Sequence, residues 1–389
     1  MVFSEILTKY LKENDWERSV CPVCNRGYWS KIYNKKENCQ QVECTSEGEY
    51  FFSKILKKKP RYRPLDDVNK EFIDNFKKLG YIETTPREIY RGKDTLLTIC
   101  GLQKWDDVFE GKTPVTSTRY VFNQPSIRLQ DLEKVRKTGR HLTSFNMLSI
   151  QQFDANWERY VNVLDDLLSY LSDVPKIPVQ ELAIVEDAWE GGAYGGSCLE
   201  FMFGGMEVGT IVYVNRPLEC VDVGLGLERI SWLLNKSESI FDVVGPISDS
   251  EFKDYGIMDT YRTLSLMIGQ GIKPAKKEVG SIIRSFIKDN FHDLRRSDLD
   301  RLVEYYYDQW SKFIELHVPK NDVVKVIRSE LNRELNSRKF RLISKLRSEK
   351  ENGSILSKVN LPYDKNSIFL HENGIFSIDD ARKEYSKRF

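Results

Sequence analysis

The sequence has almost no net charge to work with. Its 59 Lys and Arg face 58 Asp and Glu, a balance of +1 over 389 residues. No global field therefore draws the chain to nucleic acid or membrane, and any RNA contact must come from local patches. Long apolar runs are missing too: none approaches the roughly 18–20 residues of a membrane span. The start, Met1-Val2-Phe3-Ser4-Glu5-Ile6, lacks the basic opening and apolar core of a signal peptide. A cytoplasmic protein with no membrane partner is expected. Histidine is scarce, with His141, His292, His317 and His371 isolated from one another and no His-x-x-x-His. No Gly-x-Gly-x-x-Gly follows an early strand, which removes support for a dinucleotide-binding domain. Internal repeats and low-complexity tracts are absent as well.

What is present is enough for a substantial core. A chain of 389 residues has room for two or three domains. Its 40% hydrophobic and 30% charged content are those of a soluble globular protein. Four of the seven cysteines, Cys21, Cys24, Cys39 and Cys44, crowd the N-terminus. In a reducing compartment they suggest metal rather than disulfides. Cys21-Pro22-Val23-Cys24 reads as a zinc-knuckle half-site, and Cys39 with Cys44 makes a looser second half, so that four thiolates can converge on tetrahedral zinc. The alternative is a metal-free β-hairpin module. Cys100, Cys198 and Cys220 sit in apolar contexts and read as buried structural thiols.

Three domains are expected: residues 1–60 as the four-cysteine module, 61–242 as a catalytic domain, and 243–389 as a helical domain. Lys57-Lys58-Lys59-Pro60-Arg61-Tyr62-Arg63-Pro64 reads as a linker. Glu71 to Leu79 reads as a helix with Phe72, Phe76 and Leu79 on one face. From Thr95 to Asp222 the pattern is mainly strand-like. Leu199, Phe201 and Phe203 alternate with Glu200 and Met202, and Val208 to Val214 is a β-branched run. Trp157 to Ser172 interrupts as a helix. The fold class is α+β, a mostly antiparallel sheet with flanking helices. After Asp242 the chain turns helical. Val323 to Lys350 is the clearest helix, striped by Ile327, Leu331, Leu335, Leu342 and Leu346. Its nine Lys or Arg against three Glu suit either a solvated face or an RNA-facing one.

Three segments share one kind of chemistry. Gln124-Pro125-Ser126-Ile127-Arg128 precedes a long polar loop that returns through Arg140-His141-Leu142-Thr143-Ser144-Phe145. Arg128 at a strand end can hold a phosphate, and Phe145 can stack on a purine. Trp189-Glu190-Gly191-Gly192-Ala193-Tyr194-Gly195-Gly196 has four glycines in six residues, suited to a tight wall around a small ligand. Glu207 and Thr210 then offer a carboxylate and a hydroxyl compatible with hard Mg²⁺. Last comes Val221-Asp222-Val223-Gly224-Leu225-Gly226-Leu227-Glu228-Arg229, with Asp222 able to pair an ammonium and Arg229 a terminal phosphate. Each residue alone is as well explained by structure. Their order is harder to dismiss.

These motifs resemble the archaeal type of alanyl-tRNA synthetase, a class II aminoacyl-tRNA synthetase. The likeness runs through Asp94-Thr95-Leu96-Leu97-Thr98-Ile99, Gln124 to Arg128, Lys137 to Thr143, Trp189 to Gly192, Glu207 to Tyr213 and Val221 to Arg229, and the four cysteines with Tyr28-Trp29 are similar to the module that opens archaeal members. Tyr261-Arg262-Thr263-Leu264 and Gly271-Ile272-Lys273-Pro274 look like the start of that family's helical tRNA-recognition domain. The resemblance implies a class II antiparallel sheet, with ATP, Mg²⁺ and structural Zn²⁺ as cofactors, and with an amino acid and tRNA as substrates. By position it makes Arg128 the α-phosphate arginine, Phe145 the adenine-stacking aromatic and Arg229 the γ-phosphate arginine. His141, Glu207, Thr210 and Gly226 join them at ATP. Trp189, Tyr194, Asp222 and Gly224 fall to the amino acid, with Asp222 on its ammonium. The implied reaction is amino-acid activation to an aminoacyl-adenylate, then transfer to tRNA.

The departures matter as much. The family's His/Cys editing cluster has no counterpart here, so editing is expected to be absent from this polypeptide. Tyr194 stands where the family has a small amide, and Asn146 where it has a glutamate beside the adenine aromatic. Lys276, after Pro274-Ala275, replaces the asparagine that reads an acceptor-stem G·U pair, and His371 falls at its aspartate partner. A lysine cannot reproduce an amide's paired hydrogen bonds to base edges. Two alternatives follow: a paralogue that activates another small amino acid or loads another acceptor, and a degenerate ATP- or RNA-binding regulator.

Overall fold

The structure, a computed structural model, describes residues 4–45, 62–130, 132–216, 218–237, 239–246 and 254–351. Its chain divides into two units, Met1–Asp259 with Gln309–Glu315, and Thr260–Asp308 with Leu316–Phe389.

The first unit is built on one nine-stranded sheet. It opens with helix α1 (Glu5–Glu13) and the hairpin β1 (Trp16–Val20) and β2 (Gly27–Lys31). Next come α2 (Leu65–Lys78), the short β3 (Ile82–Glu83) and α3 (Asp106–Phe109). The long antiparallel pair β4 (Arg119–Ile127) and β5 (Ser144–Phe153) flanks α4 (Leu132–Thr138). After α5 (Trp157–Asp173) run β6 (Ala183–Gly191), β7 (Tyr194–Phe203), β8 (Met206–Arg216) and β9 (Cys220–Gly226), then α6 (Leu227–Asn235) and α7 (Phe241–Val244). Strand order is β1-β2-β6-β7-β8-β9-β5-β4-β3. Every neighbouring pair is antiparallel except β3 with β4, as the α+β reading expected.

Helices cover this sheet because their apolar residues recur at helical spacing. On α5, Tyr160, Val163, Leu164, Leu167, Leu168 and Leu171 are buried, positions three or four apart on one stripe. Asn156 caps its start by accepting from the Arg159 amide at 2.8 Å. The helix expected at Glu71–Leu79 begins earlier, at Leu65. Pro64, at its N-cap, has no N–H to leave unsatisfied, and Leu65 and Val68 extend the buried stripe through Phe72, Ile73 and Phe76. Leu79 is not on that face; it lies past the helix end and is 41% exposed. Residues 95–118 also depart from the strand-like expectation, folding as turns, the 3₁₀ segment Gly101–Trp105 and α3.

The cysteine-bearing hairpin is continuous with the sheet, since Tyr28 and Trp29 of β2 pair with Val185 and Ile184 of β6. Cys21, Cys39 and Cys44 pack there against Ala183, Val185 and Met202. Cys100, Cys198 and Cys220 are buried together in another cluster, inert thiols as their contexts suggested.

The second unit is helical in its described part. α8 (Tyr255–Gly269) leads into it, followed by α9 (Glu278–Asp289), α10 (Phe291–Arg296), α11 (Leu299–Trp310) and α12 (Lys320–Glu351). In α12 the stripe buries Val323, Val324, Ile327 and Leu331. The side chains of Leu342 and Leu346, and His371, lie outside the described residues. No described helix is long and apolar enough to cross a membrane.

Candidate active site

A cavity of about 370 Å³ opens in the first unit, over the strands from β6 to β5. Strand pairing brings its walls together. Arg128 follows β4 directly, and its amide donates to the Thr143 carbonyl at 2.9 Å, which prolongs the β4–β5 ladder by one residue. Phe145 lies opposite Ser126 on β5, and the Arg128 guanidinium carbon sits 5.2 Å from the centre of its ring. That contact and a 3.0 Å hydrogen bond to the Ile99 carbonyl preorganise the arginine at the cavity edge. His141 lines the same region, with Nδ1 2.7 Å from the Thr138 hydroxyl.

The opposite wall depends on an irregularity in β8. Glu207 and Thr210 are three residues apart, and in a regular strand they would face opposite sides. Thr210 pairs with Glu200 and Gly209 with Phe201, but Met202 pairs with Glu207, so Val208 is an extra residue. This bulge turns Glu207 and Thr210 to one face, where both line the cavity. Arg229, in the first turn of α6, donates to the Glu207 carbonyl at 2.8 Å and meets its carboxylate at 3.3 Å. β9 runs straight into α6 through Gly226, so the start of the helix borders the cavity alongside Arg229, a setting that favours anions. Glu228 beside it is buried and takes hydrogen bonds from the Asn146 backbone and side chain at 2.9–3.1 Å.

Trp189, Gly224 and Gly226 complete the expected residues in the lining. A Cβ on Gly191 would come within 2.3 Å of the Trp189 ring, so glycine there makes room for the indole. Gly192 opens the two-residue β6–β7 turn at φ +71° with the Asp94 carboxylate against it, a position suited to glycine alone.

Two expected residues stand apart from the lining. Asp222 is 5% exposed and accepts from Gln151 Nε2 at 2.6 Å. Burial pushes its carboxyl up to about 6, although the Gln151 hydrogen bond and the Arg128 charge oppose the rise. Tyr194 does not face the cavity: its phenol is buried against Phe109 and its hydroxyl donates to Asp106. Asp106 is also gripped by Arg91 at 2.9 and 3.0 Å and by Arg87 at 2.6 Å. Burial alone would raise the Asp106 carboxyl, but hydrogen bonds from Arg91, Tyr194 and Arg87 outweigh it and hold it well below the usual range. The bulky phenol thus serves a buried ion network behind the glycine turn. Lys276 is exposed in the second unit, just ahead of α9.

Sequence reasoning passed over Glu200, Arg140 and Gln130, all in the lining. The signal for Glu200 was a lone acid inside the apolar strand Leu199-Glu200-Phe201. Burial and the neighbouring Glu207 and Asp187 charges push it up to about 7, against a hydrogen bond from Gln41. The described cavity therefore sets arginines near carboxylates and a hydroxyl. Such a set can bind phosphate oxygens on one side and a divalent cation on the other.

The four N-terminal sulfurs also converge, all within 4.8 Å of one another, with Cys24 and Cys39 3.6 Å apart. Tetrahedral zinc with bonds of about 2.3 Å places sulfurs about 3.8 Å apart, so this donor set fits zinc.

Comparisons with known proteins agree with these features. Residues 67–215 match the family of class II (A) tRNA synthetases. An alanine--tRNA ligase of Saccharolobus islandicus (strain M.14.25 / Kamchatka #1) is 33% identical over 62% of this chain and 28% of its own length. One from Pyrobaculum aerophilum is 31% identical over 64% and 29%, and one from Thermofilum pendens is 27% identical over 81% and 43%. The chain thus spans less than half the length of these relatives. A crystal structure of pyrrolysyl-tRNA synthetase from Desulfitobacterium hafniense aligns at TM-score 0.36 and 14% identity, over 48% of this chain and 75% of that one, too distant to bear on function.

Proposed function

We propose that this chain, which carries a class II tRNA synthetase domain of the kind found in archaeal alanine--tRNA ligases, activates a small amino acid with ATP and transfers it to RNA. The observation that supports this most is the convergence of Arg128, Phe145, Glu207, Thr210 and Arg229 on one cavity. Phe145 stacks the adenine, Arg128 holds the α-phosphate, and Arg229 with the α6 N-terminus holds the γ-phosphate. Glu207 and Thr210 would hold Mg²⁺, which would supply neutralisation of the phosphate charge. The amino-acid carboxylate attacks the α-phosphorus, and the bond to pyrophosphate breaks on the opposite side. No protein group bonds to the substrate; these residues position the reactants and offset charge in the transition state. Trp189 and Gly224 border the amino acid, and Asp222, behind them, favours its ammonium. The aminoacyl group then passes to the acceptor's terminal ribose.

Pyrophosphate exchange screened across all amino acids tests the proposal. Exchange with one small amino acid is expected, and Arg128→Ala or Arg229→Ala should lower it about 10²–10³-fold, as loss of a preorganised charge contact does. Absence of exchange with every amino acid would sink it. A different acceptor is the second reading, favoured by Lys276: a point charge on an exposed loop can hold phosphate but not read a base pair. Charging of alanine tRNA that is lost on changing its G·U pair would count against that reading.

A further inference from the structure

The loop carrying the second pair of cysteines reaches the cavity described above. Between Cys39 and Cys44 lie Gln40 and Gln41, and both side chains leave the loop for the sheet. Gln40 accepts from the Gly204 amide at 2.7 Å and donates to the Glu181 carbonyl at 3.2 Å. Those two bonds already moor the loop. Gln41 has a different partner: its Nε2 donates to Glu200 Oε2 at 2.9 Å, across 159 positions of sequence. Glu200 lines the cavity and lies directly across from Thr210 on β8. On the loop side the Gln41 carbonyl accepts from the Cys44 amide at 2.9 Å and the Thr45 hydroxyl at 2.8 Å. Gln41 is thus fixed within a short span whose two ends are sulfurs of one cluster.

Glu200 needs such a holder. It is half-buried beside like charges, and among its contacts the Gln41 amide is the one that favours the ionised form by hydrogen bonding. An ionised carboxylate next to Thr210 and Glu207 is an oxygen donor of the kind a hard cation takes.

We propose that Gln41 is a positioning residue for the cavity: metal held by Cys21, Cys24, Cys39 and Cys44 fixes the loop, and Gln41 in turn holds Glu200 in the wall as a donor toward the nucleotide's divalent cation. This rests on reading the cavity as a nucleotide site. The four-cysteine metal then sets nucleotide affinity at a distance, through one amide, in addition to stabilising the hairpin.

Mn²⁺ with ATP serves as the probe, its binding to the metal-loaded full chain followed by electron paramagnetic resonance. Gln41→Leu should weaken Mn²⁺–ATP binding about tenfold, the scale of losing a hydrogen bond to a charged group, while cysteine-bound metal and thermal melting stay as in the wild type. In a Glu200→Ala background the same substitution should change nothing further, because the two act through one contact. Equal affinity of wild type and Gln41→Leu overturns the proposal and leaves adenylation standing. Loss of the cysteine metal from Gln41→Leu also overturns it, since the glutamine would then serve the cluster alone. A wild type that binds Mn²⁺–ATP yet never exchanges pyrophosphate removes the adenylation reading, whereas a tenfold weaker Gln41→Leu in that case still supports the link.

Discussion

Asp222 carries a conflict that a pH series can expose. Its carboxyl is 5% exposed and pushed up to about 6 by burial. Folding therefore favours the protonated form: the contribution to stability is fully present below the ordinary value near 4 and is lost as pH rises through 6. Pairing an ammonium demands the opposite, an ionised carboxylate. Amino-acid affinity should fall about tenfold from pH 7 to pH 5 as the ionised fraction drops, and binding near pH 6 should release a proton. Asp222→Asn keeps an acceptor for Gln151 and removes the buried charge. At pH 8 it should be more stable than the wild type, by on the order of 2–3 kcal/mol, while losing amino-acid binding. Calorimetric titration and thermal melts across pH 5–8 check both halves; a stability unchanged at pH 8 would mean that Asp222 carries no strain. The sequence disclosed this residue because its motif places an acid before two glycines. It could not disclose that Tyr194 points elsewhere, since the deciding partner, Asp106, lies 88 residues away in a segment that read as strand.

Strands β8 and β9 form the floor of the cavity, and two of their glycines pose different constraints. A Cβ on Gly209 would lie 2.6 Å from the Gly224 carbonyl oxygen and 3.1 Å from Leu225 Cα, backbone that cannot yield without parting the strands. On Gly224 the nearest atom is Met147 Sδ at 2.9 Å, the end of a flexible side chain. Gly209→Ala should therefore destabilise by about 3 kcal/mol and weaken nucleotide binding, whereas Gly224→Ala should cost less than about 1 kcal/mol. Denaturant melts of the two variants decide, and equal losses would contradict the argument. Much at this scale was legible beforehand. The alternation of Leu199, Phe201 and Phe203 and the β-branched run from Val208 both lie in strands, and the α5 stripe is a helix. The bulge at Val208 was not, because one extra residue leaves no mark in a pattern of period two. Yet that bulge is what puts Glu207 and Thr210 on one side. Gln41 and Glu200 escaped notice for a related reason: a hydrogen bond across 159 positions depends on where β2 joins β6, and local spacing does not encode that pairing.

At the scale of the whole molecule, the unit that holds the cavity is not one continuous stretch. Residues Gln309–Glu315 belong with Met1–Asp259, although residues 260–308, with α9, α10 and most of α8 and α11, intervene in the sequence. The returning segment is anchored by Gln309 Nε2 on the Val244 carbonyl at 3.3 Å and by Lys312 with Asp66 at 3.1 Å. It also brings Trp310, Phe313 and Ile314, all buried. Burying three such side chains is worth on the order of 5 kcal/mol, comparable to the net stability of a typical domain. The exposed ion pair adds little, since solvent screens it. A chain ended at Asp259 should then fail to melt cooperatively and should not bind ATP, even though it retains every cavity residue. Replacing residues 260–308 by a flexible Gly/Ser linker, so that 309–315 can return, should restore a cooperative transition and nucleotide binding. Calorimetry and ATP titration of the two chains measure this directly. If the chain ended at Asp259 melts cooperatively and binds ATP as tightly as the full chain, the returning segment is an ornament of the fold and not part of what holds the cavity together.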